Sequence, residues 1–217
     1  MEKTIIIYTD GGARGNGNKD CVSAWAYIMS FGSKTKEYKQ ACIGATNNQM
    51  ELTAIIEALK AIKNKKDFTI KIHSDSAYCV NGMNNWIEGW KKKGWKNSKK
   101  EPVENKELWI ELDFLAAQCT NIEFIKVKGH ADNELNIRVD ALVNEAMDEF
   151  IANQNNPESI SKVTDIEGLM KEGLPDIDKQ FINKYVQDMT RYLTQVESKE
   201  LKDCISKFIE EMQNLQK

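Results

Sequence analysis

The chain has 217 residues, 41% apolar and 29% charged, with a formal net charge of −3, which describes one large globular domain or one ordinary domain with an appendage. No apolar run approaches the ~20 residues of a membrane span. Five scattered cysteines (Cys21, Cys42, Cys79, Cys119, Cys204) with no Cys-x-x-Cys pair argue against a disulfide framework or a zinc site, so a cytoplasmic chain without a signal peptide is expected.

The first strand is predicted over Lys3 to Asp10, where the apolar run Ile5-Ile6-Ile7 ends on a carboxylate followed by Gly11 and Gly12. Read locally, this is a buried strand that delivers an acid to its C-terminal end and then turns on glycine. A Gly/Asn-rich loop over 11–20 follows. Val22 to Phe31 and Thr35 to Ile43 read as a hairpin joined through Gly32-Ser33. A helix capped by Asn47 or Asn48 continues to about Lys63, with Ala54, Ile55, Ala58, Leu59 and Ile62 as its apolar stripe. Phe68, Ile70 and Ile72 alternate along a fourth strand ending at Ser74-Asp75. His73 lies opposite those isoleucines and reads as structural. One helix begins near Ser76 and a second covers Trp86 to Lys92. A basic loop spans 93–103, and residues 91–100 hold six lysines and no acid, a positive patch on an otherwise neutral body. A helix over Glu104 to Gln118, a fifth strand over Ile122 to Val127, a Gly129-His130 loop and a helix over Asn133 to Phe150 complete this part. The order predicts an α/β fold with a mixed five-stranded sheet and helices on both faces.

Polar residues 153–157 mark a boundary, giving a domain over 1–153 and a helical extension over 154–217. Residues 1–150 carry 21 basic and 21 acidic groups, whereas 151–217 carry 9 and 12. Two apolar stripes, from Ile177 to Val196 and from Leu201 to Leu215, predict an antiparallel helical pair. Packing on itself or on the main domain and serving as a surface for self-association or a protein partner both stay open, on an otherwise monomeric chain.

Four acids converge. Asp10 and Asp75 sit at the C-terminal ends of strands, where open sheets bind ligands. Glu51 lies on the apolar stripe of the first helix, and Asp140 near the buried edge of the last. Singly, Asp75 reads as a helix cap, Asp140 as a surface acid and Glu51 as half of a salt bridge. Together, with no cation beside them, they would repel strongly. Hard oxygen ligands of this kind suit Mg²⁺ or Mn²⁺.

Thr9-Asp10-Gly11-Gly12, Thr46 through Leu52, Ser74-Asp75-Ser76, Val127-Lys128-Gly129-His130 and Asn136 through Asp140 together resemble the motifs of type 1 ribonuclease H. The segment Trp86 through Lys96 resembles the basic protrusion of the bacterial members. The resemblance covers residues 1–150. It implies a ribonuclease H-like fold and hydrolysis of the RNA strand of an RNA–DNA hybrid. It implies two Mg²⁺ ions, with Mn²⁺ able to substitute, held by Asp10, Glu51, Asp75 and Asp140, and products with 5′-phosphate and 3′-hydroxyl ends. His130 would assist proton transfer or product departure. Gly11, Gly12, Ala13, Asn16, Asn48 and Gln49 would meet ribose 2′-hydroxyls, and the two glycines would let a sugar approach the backbone. Thr46 and Asn105 would grip a phosphate of the DNA strand. Trp86, Trp90 and Trp95 would pack against deoxyribose or anchor the protrusion, with at least one of Trp86 and Trp90 in the core. Lys91, Lys92, Lys93 and Lys96 would neutralise phosphates. Ile137 stands where many members carry Glu after the Asn of the last motif. Two rivals remain. The acid cluster and the loop histidine speak against a non-catalytic hybrid-binding module. The Trp/Lys protrusion and Asn-rich ribose contacts speak against a nuclease of the same superfold acting on DNA.

Overall fold

The computed structural model describes residues 3–128 and 133–154, together with Ser206. The chain divides into two units, Met1–Ser159 and Ile160–Lys217, and the elements described here belong to the first. Apart from Ser206, which is helical and exposed, the two helices expected between 175 and 217, and the boundary beyond residue 154, lie outside the described residues.

Five strands, β1 (Thr4–Arg14), β2 (Val22–Phe31), β3 (Lys34–Ile43), β4 (Thr69–Ser74) and β5 (Asn121–Lys126), form one sheet in the order β3-β2-β1-β4-β5. β1 with β2, and β2 with β3, pair antiparallel, while β1 with β4, and β4 with β5, pair parallel. The mixed sheet expected from hairpins first and crossovers later is therefore present. Alternation along β1 divides its side chains between two cores. Ile5 and Ile7 join Trp25, Tyr27, Ile70 and Ile72 beneath α1 (Asn47–Lys60) and α4 (Lys106–Ala116), which contributes Trp109, Leu112 and Leu115. Tyr8 joins Ala24, Ala26 and Ile28 beneath α5 (Glu134–Gln154), which contributes Val139, Leu142, Val143, Ala146 and Met147.

Several local expectations are corrected. β1 does not end at Asp10. It runs through both glycines to Arg14, with Gly11 opposite Trp25 and Gly12 opposite Ala24. The chain turns later, at Gly15 and Gly17, whose φ values are +81° and +90°. α1 is capped by Thr46 rather than by Asn47 or Asn48: Thr46 Oγ1 accepts from the Gln49 N–H at 3.3 Å and Gln49 Oε1 accepts from the Thr46 N–H at 2.8 Å, a reciprocal capping box. α1 stops at Lys60, because Asn64 takes a left-handed conformation (φ 53°) ahead of β4. The helix near Ser76 is the short α2 (Ala77–Asn81), capped by Ser76, and a π-helical turn over Gly82–Trp86 joins it to α3 (Ile87–Lys92). A β-carbon on Gly82 would overlap the Trp109 indole. The wide π turn passes beneath that ring because position 82 carries no side chain. α4 starts two residues later than expected, after Asn105 in a left-handed conformation (φ 55°).

Candidate active site

β1 delivers Asp10 in phase with Tyr8, on the α5 side of the sheet. The glycines beside it are spaces for helices. A β-carbon on Gly11 would overlap the backbone of Met50 and Glu51 in α1, and one on Gly12 would stand 3.2 Å from Val143 Cγ1 in α5. Removing both side chains lets α1 and α5 close on the strand from opposite faces. The sugar-approach role expected for Gly11 therefore has a competing structural cause: helix backbone already fills that space.

This closure brings Glu51 to Asp10. Asp75 follows directly after β4, which pairs parallel to β1. Asp10, Glu51 and Asp75 each offer one carboxylate oxygen, and these three atoms lie within 4.8 Å of one another. Burial first, then Asp75, then Asp140 push the Asp10 carboxyl up to about 7, against a backbone hydrogen bond that lowers it. Burial, then Asp10 and Asp75, raise Glu51 well above the ordinary carboxylate range, and Lys126 partly offsets them. Glu51 Oε2 is enclosed and has no hydrogen-bond partner among the described residues. Enclosed, mutually repelling carboxylate oxygens with an unsatisfied lone pair fit a hard divalent cation, which would remove both the repulsion and the orphaned acceptor.

Asp140 is not in the three-acid cluster. It lines a cleft of about 260 Å³ with Asp10, residues Gly11–Arg14, Asn47 and Asn144. It is close enough to raise the Asp10 carboxyl. β1 and α5 run side by side in the same sense: Tyr8 meets Asn133, Gly12 meets Val143 and Met147, and Arg14 meets Asp148. Asp140 is thus the acid that α5 presents opposite Asp10. His130 lies outside the described residues.

The residues expected to bind substrate divide. Asn16 Oδ1 accepts from the Asn47 N–H at 3.1 Å, which fixes the loop over the start of α1. Asn48 is half-buried in the first turn of α1. Thr46 and Gln49 are committed to the capping box. Asn105 donates through Nδ2 to the Tyr78 hydroxyl at 3.3 Å, and the same hydroxyl accepts from Trp109 Nε1 at 2.9 Å. Trp90 packs edge-on to Trp109, with ring centroids 5.3 Å apart, whereas Trp86 is 38% exposed. Trp90 is partly buried against the core, and Trp86 is at the surface. Trp95 is half-buried, in a left-handed conformation (φ 61°), and its N–H donates to Trp90 O at 2.7 Å. Lys91 is bound to Glu88 and Asp113, each at 3.1 Å, while Lys92, Lys93 and Lys96 are exposed. Of the four lysines, Lys91 is the one whose charge is already matched.

Three residues of this region were not singled out from the sequence. Lys126, in register with Ser74 at the end of β5, supplies positive charge toward Glu51. Counting the parallel register of β4 and β5 would have found it. Arg14 and Asn144 line the cleft. Arg14 was hidden because Gly11-Gly12 reads as a turn, which takes everything after it off the strand.

The description RNase H matches residues 2–148. A ribonuclease H of Clostridium botulinum (strain Hall) is 50% identical over 149 residues, 68% of this chain and 98% of that protein. A ribonuclease H of Neisseria gonorrhoeae is 43% identical over 150 residues, 69% of this chain and 99% of that protein. Among solved structures, LC9-RNase H1, described as a type 1 RNase H with the type 2 active-site motif, superposes with a TM-score of 0.61 at 26% identity, covering 69% of this chain and 74% of that one. LC11-RNase H1 in complex with RNA/DNA hybrid superposes with a TM-score of 0.53 at 29% identity, covering 68% and 99%. With the family description matched across most of the chain and relatives this similar spanned almost end to end, the chain belongs to the ribonuclease H family.

Proposed function

We propose that this ribonuclease H is an endonuclease that hydrolyses the RNA strand of RNA–DNA hybrids without sequence preference, leaving 5′-phosphate and 3′-hydroxyl ends. The observation that carries the reading is the group of three carboxylate oxygens within 4.8 Å, with Asp140 facing Asp10 across the adjoining cleft. Two Mg²⁺ ions, replaceable by Mn²⁺, would supply water activation on one side of the scissile phosphate and charge stabilisation of the leaving 3′ oxygen on the other. Asp10, Glu51, Asp75 and Asp140 are the side chains that would hold them. The burial that raises Glu51 also leaves its Oε2 without a competing donor among the described residues, so that ligand oxygen is available before a cation arrives. His130, four residues before Glu134 in the sequence, is the group assigned to proton transfer or product departure.

Substrate selection rests on backbone and sugar contacts. Asn47 and residues Gly11–Arg14 line the cleft, and Asn48 and Gln49 sit in the first turn of α1 beside Glu51. This is the region assigned to ribose 2′-hydroxyls, together with Asn16. Thr46 and Asn105 are assigned to a DNA-strand phosphate. Exposed Lys92, Lys93 and Lys96, with Trp86 alongside, are assigned to the hybrid backbone. The LC11 relative bound to a hybrid supports this substrate class. The catalytic unit is assigned to residues 1–153, with 154–217 an extension of a monomeric chain. The described cysteines are free, and no described helix is long and apolar enough to cross a membrane. Free thiols support a cytoplasmic assignment.

The test incubates the full chain with end-labelled RNA–DNA hybrid and Mg²⁺, beside the matching DNA duplex and the Asp10→Asn variant. Cleavage of hybrid RNA alone, lost in the variant, is expected. Survival of the hybrid with the native chain, or equal cutting by Asp10→Asn, overturns the reading.

A further inference from the structure

Asp10 and Asp140 carry like charge and stand on two different elements, and Asp140 is one of the groups that raise the Asp10 carboxyl. What opposes their separation is therefore a structural question about how α5 is fastened to β1. One rung away from the pair, Asn133 answers it with two hydrogen-bonding functions. Its Oδ1 accepts from the N–H groups of Leu135 at 3.1 Å and Asn136 at 3.2 Å, which makes it the N-cap of α5. Its Nδ2 donates to the Tyr8 hydroxyl at 2.9 Å. The Tyr8 ring is itself fixed. It is buried beneath α5 and stacked on His73 of β4, with centroids 4.6 Å apart, and the two residues are partners in the parallel ladder.

The spacing is what gives this contact its function. Tyr8 and Asp10 are two residues apart on one face of a strand, a separation of roughly 7 Å. Asn133 and Asp140 are seven residues apart, about two helical turns and so on one face of α5. The Tyr8–Asn133 hydrogen bond and the Asp10–Asp140 pair are thus successive rungs between the same two elements. Below Asp140, apolar contacts of Val143 and Met147 with β1 hold the helix. Above it, the described polar tie from α5 to β1 is this hydrogen bond.

We propose that Tyr8 and Asn133 are positioning residues that hold the first turns of α5 against β1, so that Asp140 stays opposite Asp10 before a cation binds. The inference rests on the metal-site reading above. It predicts a specific defect. Without the tie, the cation must gather Asp140 as it binds, so metal affinity falls, while chemistry at saturating metal is retained.

The experiment measures thermal stabilisation of the full chain by Mn²⁺, alongside hybrid cleavage at limiting and saturating Mn²⁺. Tyr8→Phe keeps the stacked ring and removes the hydroxyl. Asn133→Ser keeps a capping oxygen but is too short to reach Tyr8. Each is expected to raise the Mn²⁺ midpoint about fivefold, the factor of one ordinary hydrogen bond, with kcat at saturation within about twofold of the native chain. The double variant is expected to be no worse than either single one. Lys39→Gln is the control, because Lys39 fastens α5 to β3 through Glu145 at 3.0 Å and Glu149 at 2.7 Å without touching β1. It is expected to leave the midpoint unchanged. Native-like midpoints in both Tyr8→Phe and Asn133→Ser overturn the proposal, as does an equal shift in Lys39→Gln, which would make any loosening of α5 sufficient. Absence of Mn²⁺ stabilisation in the native chain overturns the metal-site reading and this inference with it.

Discussion

Asp10 is stabilised as an acid and needed as a base, and the two demands can be separated by measurement. Burial, with Asp75 and Asp140, raises its carboxyl from 3.8 to about 7. The folded chain therefore binds this proton more tightly than the unfolded chain does. The associated stability is complete below the unfolded value of 3.8, and it is lost as pH rises through about 7. Metal-free protein should thus weaken across that interval, and Asp10→Asn should be more stable than the native chain in alkaline buffer by roughly 2–4 kcal/mol. The same substitution should reduce hybrid cleavage by about 10³-fold or more. Denaturant titrations in chelator on either side of the raised value check the sign, and a native chain whose stability climbs between them contradicts it. Gly11 makes the neighbouring case from sterics alone. Gly11→Ala drives a β-carbon into the Met50–Glu51 backbone, so α1 must move and carry Glu51 with it. The expected loss exceeds about 3 kcal/mol, with weaker Mn²⁺ binding in whatever remains folded. Circular dichroism melts with and without Mn²⁺ would show both effects.

At the scale of elements, the continuous helical run of α2, the π turn and α3 has one side against the core and one side free. Trp90 stacks edge-on to Trp109, while Trp86 leans on Trp90 at 5.7 Å and remains exposed. Trp90→Ala should cost roughly 2–4 kcal/mol of stability. Trp86→Ala should cost less than about 1 kcal/mol and raise KM for hybrid by roughly fivefold with little change in kcat. Melting curves and steady-state kinetics on both variants separate these roles, and a KM effect confined to Trp90→Ala would reverse the assignment. This division illustrates what was readable in the chain. Periodicity carries the strands and the face of α1 that holds Glu51, because burial imposes a repeat of two or of 3.6 residues, whereas the strand order β3-β2-β1-β4-β5 comes from the structure. Gly11-Gly12 reads as a turn because a turn and a close helix approach leave the same local mark, and the choice between them is made by Met50 and Val143, which are distant in sequence. The resemblance assigns Thr46 and Asn105 to a DNA-strand phosphate, and each side chain also makes an internal hydrogen bond that nothing local in the sequence signals. The expected cap at Asn47 or Asn48 lies one or two residues late for a related reason: Thr46, Asn47 and Asn48 are all good caps, and Gln49 three residues after Thr46 is the deciding signal.

For the molecule as a whole, the described residues of the site and its supports all precede residue 155. The family match ends at residue 148. The described residues that line the cleft run from Asp10 to Met147, and α5 must be left whole because it carries Asp140 and packs through Val139–Met147. A chain ending at Gln154 keeps all of this. It should fold, and it should cleave hybrid with kcat/KM within about threefold of the full chain at moderate salt. The removed segment has a definite electrostatic sign, because residues 155–217 hold 9 basic and 12 acidic groups, 9 − 12 = −3. An acidic segment tethered to a protein that binds a polyanion lowers the encounter rate by long-range repulsion, whatever its conformation. The shortened chain should therefore be faster than the full chain at low ionic strength, by roughly twofold, and the difference should vanish once the Debye length falls to about 3 Å near 1 M salt. Kinetics across a salt series on both chains test this directly. A loss of more than about 10²-fold on shortening, an effect far beyond screening of three charges, would mean that the extension takes part in binding or in the fold of the catalytic unit. A low-salt advantage that disappears on screening would show that its net charge acts on the substrate from outside the site.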